Sequence, residues 1–288
     1  MRSHFRLFSR TVAVTGLALS GLTLVTLAPT SAVGAAGSKA SQLSSMATPA
    51  RALSGVKVLG WGFNEPIAIA LGGNHVWVAN NGGDSVTELS ETTGAVGKVI
   101  SGWSYGFSEP EAITSHGAHI WVANLDGNSV TELSASSGAL VKVIGGARYG
   151  FSYPDAITSA GTHIWVANEQ EPNGFGGSVT ELSASTGALV KVIRAGSYGF
   201  NGPHAIASDG AHIWLANYEG NSVTELSAST GALVKVISGS RYGFNGPFAI
   251  TSDGAHIWVA NFGLPGLGNS VTELSASTGA LVKVISGA

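Results

Sequence analysis

Five positions in this chain stand in the same local frame yet carry different chemistry. The segments WGFNEPIAI (61–69), YGFSEPEAI (105–113), YGFSYPDAI (149–157), YGFNGPHAI (198–206) and YGFNGPFAI (242–250) share a proline followed two residues later by Ala-Ile. The residue directly after the proline is Ile67, Glu111, Asp155, His204 and Phe248 in turn. Two carboxylates and an imidazole on three consecutive copies are the residue types that hold a divalent cation such as Mg or Ca. They are also the types that share acid–base work. A tolerant, solvated position is the other reading, because a loop residue free of packing drifts in type. Which reading applies depends on whether the fold brings the copies together.

The elements that must do so are announced by repetition. Trp77, Trp121, Trp165, Trp214 and Trp258 each lie in HVWVAN, HIWVAN or HIWLAN, at spacings of 44, 44, 49 and 44 residues. Each unit continues through SVTELS and a small turn such as ASTG into ALVKVI or its variant. The long spacing comes from one loop, 169–177, and the fifth copy lengthens at the same place, 262–269. These loops carry Phe175 and Phe262, which join Phe248 and the three polar residues as candidate ligand-binding groups.

Each unit holds four short runs rich in Val, Ile, Thr and Trp, separated by Gly, Ser, Asn and Asp, which read as strands and hairpin turns. No stretch has a helical apolar period, so a βαβ architecture is excluded. In HIWVAN both alternating faces are largely apolar, as a sheet covered on both sides requires. Four strands per 44-residue unit predict the blade of a β-propeller. The expected fold is all-β, with five four-stranded antiparallel blades. One extra outer strand is expected near the N-terminus, because VKVLG (56–60) matches the fourth strand of the other units. The tryptophans are expected to pack between blades.

The N-terminus reads as a secretory signal over residues 1–32. Arg2, Arg6 and Arg10 precede a 17-residue apolar run from Thr11 to Leu27, then small residues, with cleavage after Ala32 or Ala35. The run falls short of the roughly 20 residues that span a bilayer. Residues 33–54 read as a flexible linker and 55–288 as the propeller. An exported chain without cysteine must hold its fold by its core. Removing the signal arginines leaves 11 basic against 17 acidic residues, net −6, with the basic residues scattered. That distribution excludes nucleic acid as an expected partner. A secreted or surface-associated monomer is expected, with an extracellular protein, glycan or small molecule as partner.

The unit IWVANxxGNSVTELSxxTGALVKVI resembles the NHL and YVTN type of bacterial propeller repeat and, more distantly, the blades of streptogramin (virginiamycin B) lyases. The resemblance covers residues 56–288. It implies that the first strand of each blade lines a central channel. The inter-blade loops and the loops between second and third strands would then share one rim, with the five variable residues around the channel mouth. Three functions follow as expectations. The first is a binding module without chemistry that uses this rim. The second is a metal-dependent lyase, in which His204 of Gly-Pro-His would be the catalytic histidine that the lyases carry after a proline. Where that family places its metal-holding glutamates, this chain offers Gly202 and Asn217, with Glu219 beyond. The third is a lectin in which Trp61, Tyr105, Tyr149, Tyr198 and Tyr242 stack on sugar rings, against an alternative in which these aromatics pack between blades.

The other recurring polar residues read as structural. His75, His119, His163, His212 and His256 are expected to make a repeated hydrogen bond. Glu88, Glu132, Glu181, Glu225 and Glu273 are expected to pair with the lysines of the next strand at the blade periphery, with little stabilising value. Asn80, Asn124, Asn168, Asn217 and Asn261 are expected to be turn residues with left-handed backbone.

Overall fold

A computed structural model describes residues 62–170, 176–194, 196–263 and 269–286. The expected signal peptide, the linker, the extra strand at 56–60, Trp61 and Phe175 lie outside the described residues. Among those described, no helix is long and apolar enough to cross a membrane.

The chain forms five separate four-stranded antiparallel sheets, one per repeat, each with its strands in sequence order. Blade 1 comprises β1 (Pro66–Gly72), β2 (His75–Asn80), β3 (Ser85–Ser90) and β4 (Val96–Ser101). Blade 2 comprises β5 (Pro110–His116), β6 (His119–Asn124), β7 (Ser129–Ser134) and β8 (Leu140–Gly145). Blade 3 comprises β9 (Pro154–Ala160), β10 (His163–Asn168), β11 (Ser178–Ser183) and β12 (Leu189–Arg194). Blade 4 comprises β13 (Pro203–Ser208), β14 (His212–Asn217), β15 (Ser222–Ser227) and β16 (Leu233–Ser238). Blade 5 comprises β17 (Pro247–Ser252), β18 (His256–Asn261), β19 (Ser270–Ser275) and β20 (Leu281–Ser286). The five-bladed, four-stranded propeller expected from the repeat is the observed architecture.

The core lies between blades. At the junction of blades 2 and 3, Trp121, Ala123, Val130 and Ile144 of one face meet Tyr149, Phe151, Ile157, Ile164, Val166 and Leu182 of the other. The same arrangement recurs at the neighbouring junctions. Burial of large aromatic and branched side chains is the main stabilising term. Trp77, Trp121, Trp165 and Trp214 are fully buried, as expected. The Tyr-Gly-Phe aromatics belong to these junctions as well. Tyr105 and Phe107 stack at 5.7 Å, Tyr149 and Phe151 at 5.6 Å, and Tyr242 and Phe244 at 5.5 Å. The packing alternative therefore holds for them, and the sugar platform does not.

The inner strands β1, β5, β9, β13 and β17 pack consecutively, but no comparable packing joins β17 back to β1. Among the described residues, the outer faces of blades 1 and 5 are correspondingly more exposed than the internal junctions. Ile69 is 66% exposed where its counterpart Ile113 is 7%, and Ile285 is 47% exposed where Ile144 is 3%.

Two polar systems repeat inside the blades and correct the sequence expectations. Each strand-three glutamate is buried, Glu181 and Glu132 almost completely, and is not a peripheral group. The pleat explains this: Trp165, Glu181 and Lys191 stand opposite one another across three strands, so the carboxylate shares the tryptophan's face. Glu181 lies 3.6 Å from His163 and 3.6 Å from Lys191, and the other blades repeat the trio. The lysine also ties blades together, Lys142 donating to the Thr186 carbonyl and Lys191 to that of Thr230. Burying a carboxylate without such partners would be costly.

The strand-two asparagines are buried and extended (Asn80 φ −108°), not left-handed. Asn168 Nδ2 donates to Ser178 Oγ at 3.2 Å and Thr180 Oγ1 at 3.1 Å. Thr180 Oγ1 in turn donates to the Tyr149 carbonyl at 2.8 Å. This relay fixes the inter-blade linker onto the third strand.

Candidate functional site

The variable residue after each proline is a β-bulge. Pro203 pairs with Asn217 and Ala205 with Ala216, so His204 has no place in the ladder, and the register shifts at the same point in every blade. A bulged residue is released from the alternation and its side chain is re-aimed. The sequence frame follows from this. Proline lacks a donor to lose, and the Ala-Ile pair resumes the ladder.

The residue before each proline is clamped. Glu65, Glu109 and Tyr153 have φ of 51°, 50° and 53°, where the fourth and fifth copies have Gly202 and Gly246. Their carbonyls accept from the first residue after the strand-two asparagine: Asn81 at 2.9 Å, Leu125 at 2.8 Å, Glu169 at 2.9 Å, Tyr218 at 2.8 Å and Phe262 at 2.9 Å. The preceding blade holds the other side, with Asp84 Oδ1 accepting from the Glu109 amide and Asn128 Oδ1 from the Tyr153 amide, both at 2.8 Å. Left-handed backbone in bulky residues is unfavourable and persists only where surroundings enforce it.

These clamps place a second variable ring, Asn81, Leu125, Glu169, Tyr218 and Phe262, beside the first. Sequence reasoning found only Phe262 of this set. The signal was present, since each residue follows the invariant Ala-Asn and differs from blade to blade. The second ring of one blade meets the first ring of the next. Asn81 Nδ2 donates to Glu111 Oε2 at 2.7 Å, and the Tyr218 and Phe248 rings lie 6.2 Å apart.

The structure brings Asp155, His204 and Phe248 together. His204 Nε2 is 3.7 Å from Asp155 Oδ2, its Nδ1 is 3.0 Å from the Phe248 carbonyl, and its ring is 4.1 Å from that of Phe248. Tyr218 at 6.0 Å from His204 and Phe262 at 5.4 Å from Phe248 continue the aromatic side. Glu111 and Glu169 act on His204 as nearby negative charges. Ile67, on blade 1, is exposed at the open edge.

A carbonyl oxygen only accepts, so Nδ1 carries the proton and the neutral ring turns a bare Nε2 toward Asp155. Burial holds the His204 pKa below the ordinary histidine value, with Glu111, the Phe248 carbonyl and Glu169 opposing that shift in part. Nε2 and Asp155 Oδ2 lie 3.7 Å apart. A donor group, neutral or cationic, brought to this edge of the site can be accepted by the imidazole and by the carboxylate.

Among the described residues, no three His, Asp or Glu side chains gather closely enough to hold a metal ion. Glu111, Asp155 and His204 thus do not assemble the three-ligand set that their types suggest. Their bulges stand on successive blades, and Glu111 turns to Asn81 instead. Asn217, which the sequence offered at an expected metal-holding position, is spent inside the blade on Ser222 and Thr224.

No family model and no curated relative matches the sequence. Solved structures do match the fold. A virginiamycin B lyase from Staphylococcus aureus, a catalytically inactive variant with quinupristin, aligns with TM-score 0.62 at 16% identity, covering 80% of this chain and 72% of that one. Hydrazine synthase of Kuenenia stuttgartiensis aligns with TM-score 0.61 at 18% identity, over 80% of this chain and 69% of that one. A chain of the nidogen/laminin complex aligns with TM-score 0.58 at 14% identity, over 76% and 79%. With five repeated four-stranded sheets and these likenesses, the chain is a β-propeller distantly similar in fold to the streptogramin lyases.

Proposed function

We propose that this chain is an exported, non-catalytic binding propeller whose rim takes a small ligand with a hydrogen-bond donor or protonated amine beside an apolar, flat body. The observation that carries the reading is His204 Nε2 standing 3.7 Å from the Asp155 carboxylate. On one side it is flanked by Tyr218, Phe248 and Phe262. Glu111 and Glu169 add negative charge close to His204. Aromatic faces and negative charge together favour a cation carried on a ring or chain. Lyase chemistry has less support, since the expected glutamate positions hold Gly202 and Asn217 and, among the described residues, three metal ligands do not converge. Export rests on the basic, apolar and small-residue order of residues 1–35.

The test is calorimetry with a panel of aromatic amines, the isosteric aromatic alcohols and aliphatic amines. Aromatic amines should bind best, and Asp155→Asn should weaken them by roughly 10- to 100-fold, the value of a charge-assisted hydrogen bond. Failure of every amine to bind, or indifference of binding to Asp155→Asn, would sink the reading.

A further inference from the structure

We infer that the outer groove between blades 1 and 2 is a binding site for a neutral sugar, with Trp103 as its stacking platform. The groove holds about 380 Å³ and is lined by Lys98, Ile100 and Ser101 of β4, by Tyr105 of the linker, and by Ser137 and Gly138 of the turn between β7 and β8. Trp103 opens the short 3₁₀ turn Trp103–Tyr105, on the segment between the lining residues Ser101 and Tyr105. It is 95% exposed, whereas Trp77, Trp121, Trp165 and Trp214 are fully buried. A large aromatic side chain left in water stabilises nothing in the fold, so its place beside a groove points to recognition.

The repeat supplies the comparison. At each of the other three internal junctions an arginine stands on the corresponding stretch: Arg148 between blades 2 and 3, Arg194 between blades 3 and 4, and Arg241 between blades 4 and 5. Arg148 Nη2 donates to the Tyr149 hydroxyl at 2.8 Å, and its guanidinium lies 4.7 Å above the ring. Arg241 covers Tyr242 at the same two distances. Tyr149 and Tyr242 are consequently buried. Between blades 1 and 2 the arginine positions hold Ser101 and Ser104, and Tyr105 is only half-buried. The turn across the groove is smaller as well, Ser137 standing where Thr186, Thr230 and Thr278 stand elsewhere. Trp103 takes the place of Ala147, Gly196 and Ser240. Three small hydroxyl residues and one exposed indole coincide at a single junction.

The lining identifies the ligand class. Lys98 is its one charged group, and its ammonium is already spent, 3.4 Å from Glu88 Oε2 and donating to the Ser137 carbonyl at 2.6 Å. The groove therefore does not call for an anion. What it offers are the hydroxyls of Ser101, Tyr105 and Ser137, each able to donate and accept. A pyranose matches both halves, with hydroxyls around its edge for the serines and C–H groups on its face for the electron-rich indole. Tyr105 keeps its packing on Phe107 and lends the groove only its edge. Gly62, the first described residue, packs on Val99, which alternates to the other face of β4 from Lys98 and Ile100. This inference concerns the periphery and stands independently of the rim ligand proposed above.

A glycan array carrying neutral glucose, galactose, mannose and N-acetylglucosamine oligosaccharides tests it, followed by calorimetric titration of the best binder. Wild type should bind, and Trp103→Ala and Ser104→Arg should each weaken binding by roughly tenfold or more. Ser104→Arg installs the arginine that already covers Tyr149 and Tyr242, so the fold has a place for it. Ser197→Arg, the same change in the linker between blades 3 and 4, should leave binding as it is. Trp103→Ala removes a side chain with almost no packing to lose, and it decides the case should the arginine variant fail to fold. An array on which wild type binds no neutral glycan overturns the inference, as does one on which it binds acidic glycans alone. Binding that survives Trp103→Ala, or a folded Ser104→Arg, overturns it too.

Discussion

Trp165 and Trp214 occupy the same place in adjacent blades, yet replacing each by phenylalanine should have different consequences. Both are fully buried, and both lose a similar volume on substitution. Truncating a buried aromatic to a smaller one costs transfer energy plus the cavity left behind, a term common to the two sites. Their indole N–H groups differ. Trp214 Nε1 donates to Asp209 Oδ2 at 3.0 Å, whereas Trp165 Nε1 is buried without a hydrogen-bond partner. The sequence explains the difference: SDGAH in blade 4 becomes SAGTH in blade 3, with Ala160 in place of the aspartate. Phenylalanine at 214 deletes a charge-assisted hydrogen bond, while phenylalanine at 165 removes an unsatisfied donor whose burial costs about 1–3 kcal/mol. Trp214→Phe should therefore destabilise more than Trp165→Phe, by roughly 2.5–6 kcal/mol when both effects are added. Urea unfolding followed by far-ultraviolet circular dichroism reads the difference without depending on tryptophan fluorescence. Equal losses, or a larger loss at 165, would refute the argument that the Asp209 bond separates the two blades.

Tyr153→Gly should raise stability by about 0.5–1 kcal/mol, because glycine relieves the left-handed backbone that the fourth and fifth copies already assign to Gly202 and Gly246. A lower thermal midpoint for the variant would show that the Tyr153 side chain contributes more than its backbone costs. Acid should also weaken the fold through His204. Its pKa is lowered on folding, so the unfolded chain takes up the proton first. The stabilising contribution is full above the unfolded value of about 6.5 and falls as pH drops below it, until the folded ring protonates too. His204→Gln should flatten that part of the stability–pH curve, and a curve unchanged between wild type and variant would contradict the assignment.

The blades were legible in the sequence because a repeat declares itself, and because four β-rich runs between turn residues leave one architecture. The inter-blade role of the tryptophans followed from the two apolar faces of HIWVAN. Exposure was less legible. Glu181 and Lys191 alternate as a surface pair would, and only the register shows that the carboxylate lies on the tryptophan's face. Asn168 reads as a turn residue by type, but a buried Ser and Thr on the next strand recruit its amide into the sheet. In the candidate site, the post-proline ring was visible as variation within a fixed frame. The convergence of Asp155 on His204, and of Tyr218 and Phe262 on Phe248, depends on inter-blade geometry that no single repeat contains.

That division has a physical origin. Nearly every side chain of the unit faces a neighbour of nearly constant type, so each copy is constrained by the copies beside it. The bulged residue after the proline and the first residue after Ala-Asn escape this, since their backbones are clamped while their side chains leave the ladder. Variation is therefore confined to two rings that touch one another across blades. Because the clamps are backbone hydrogen bonds, a change of side chain there alters what the rim recognises without altering how the rim is held. The terminal faces follow the same logic from the other side. Their residues are those of a packed junction, so Ile69 and Leu71 keep the apolar chemistry of a core although both are exposed among the described residues.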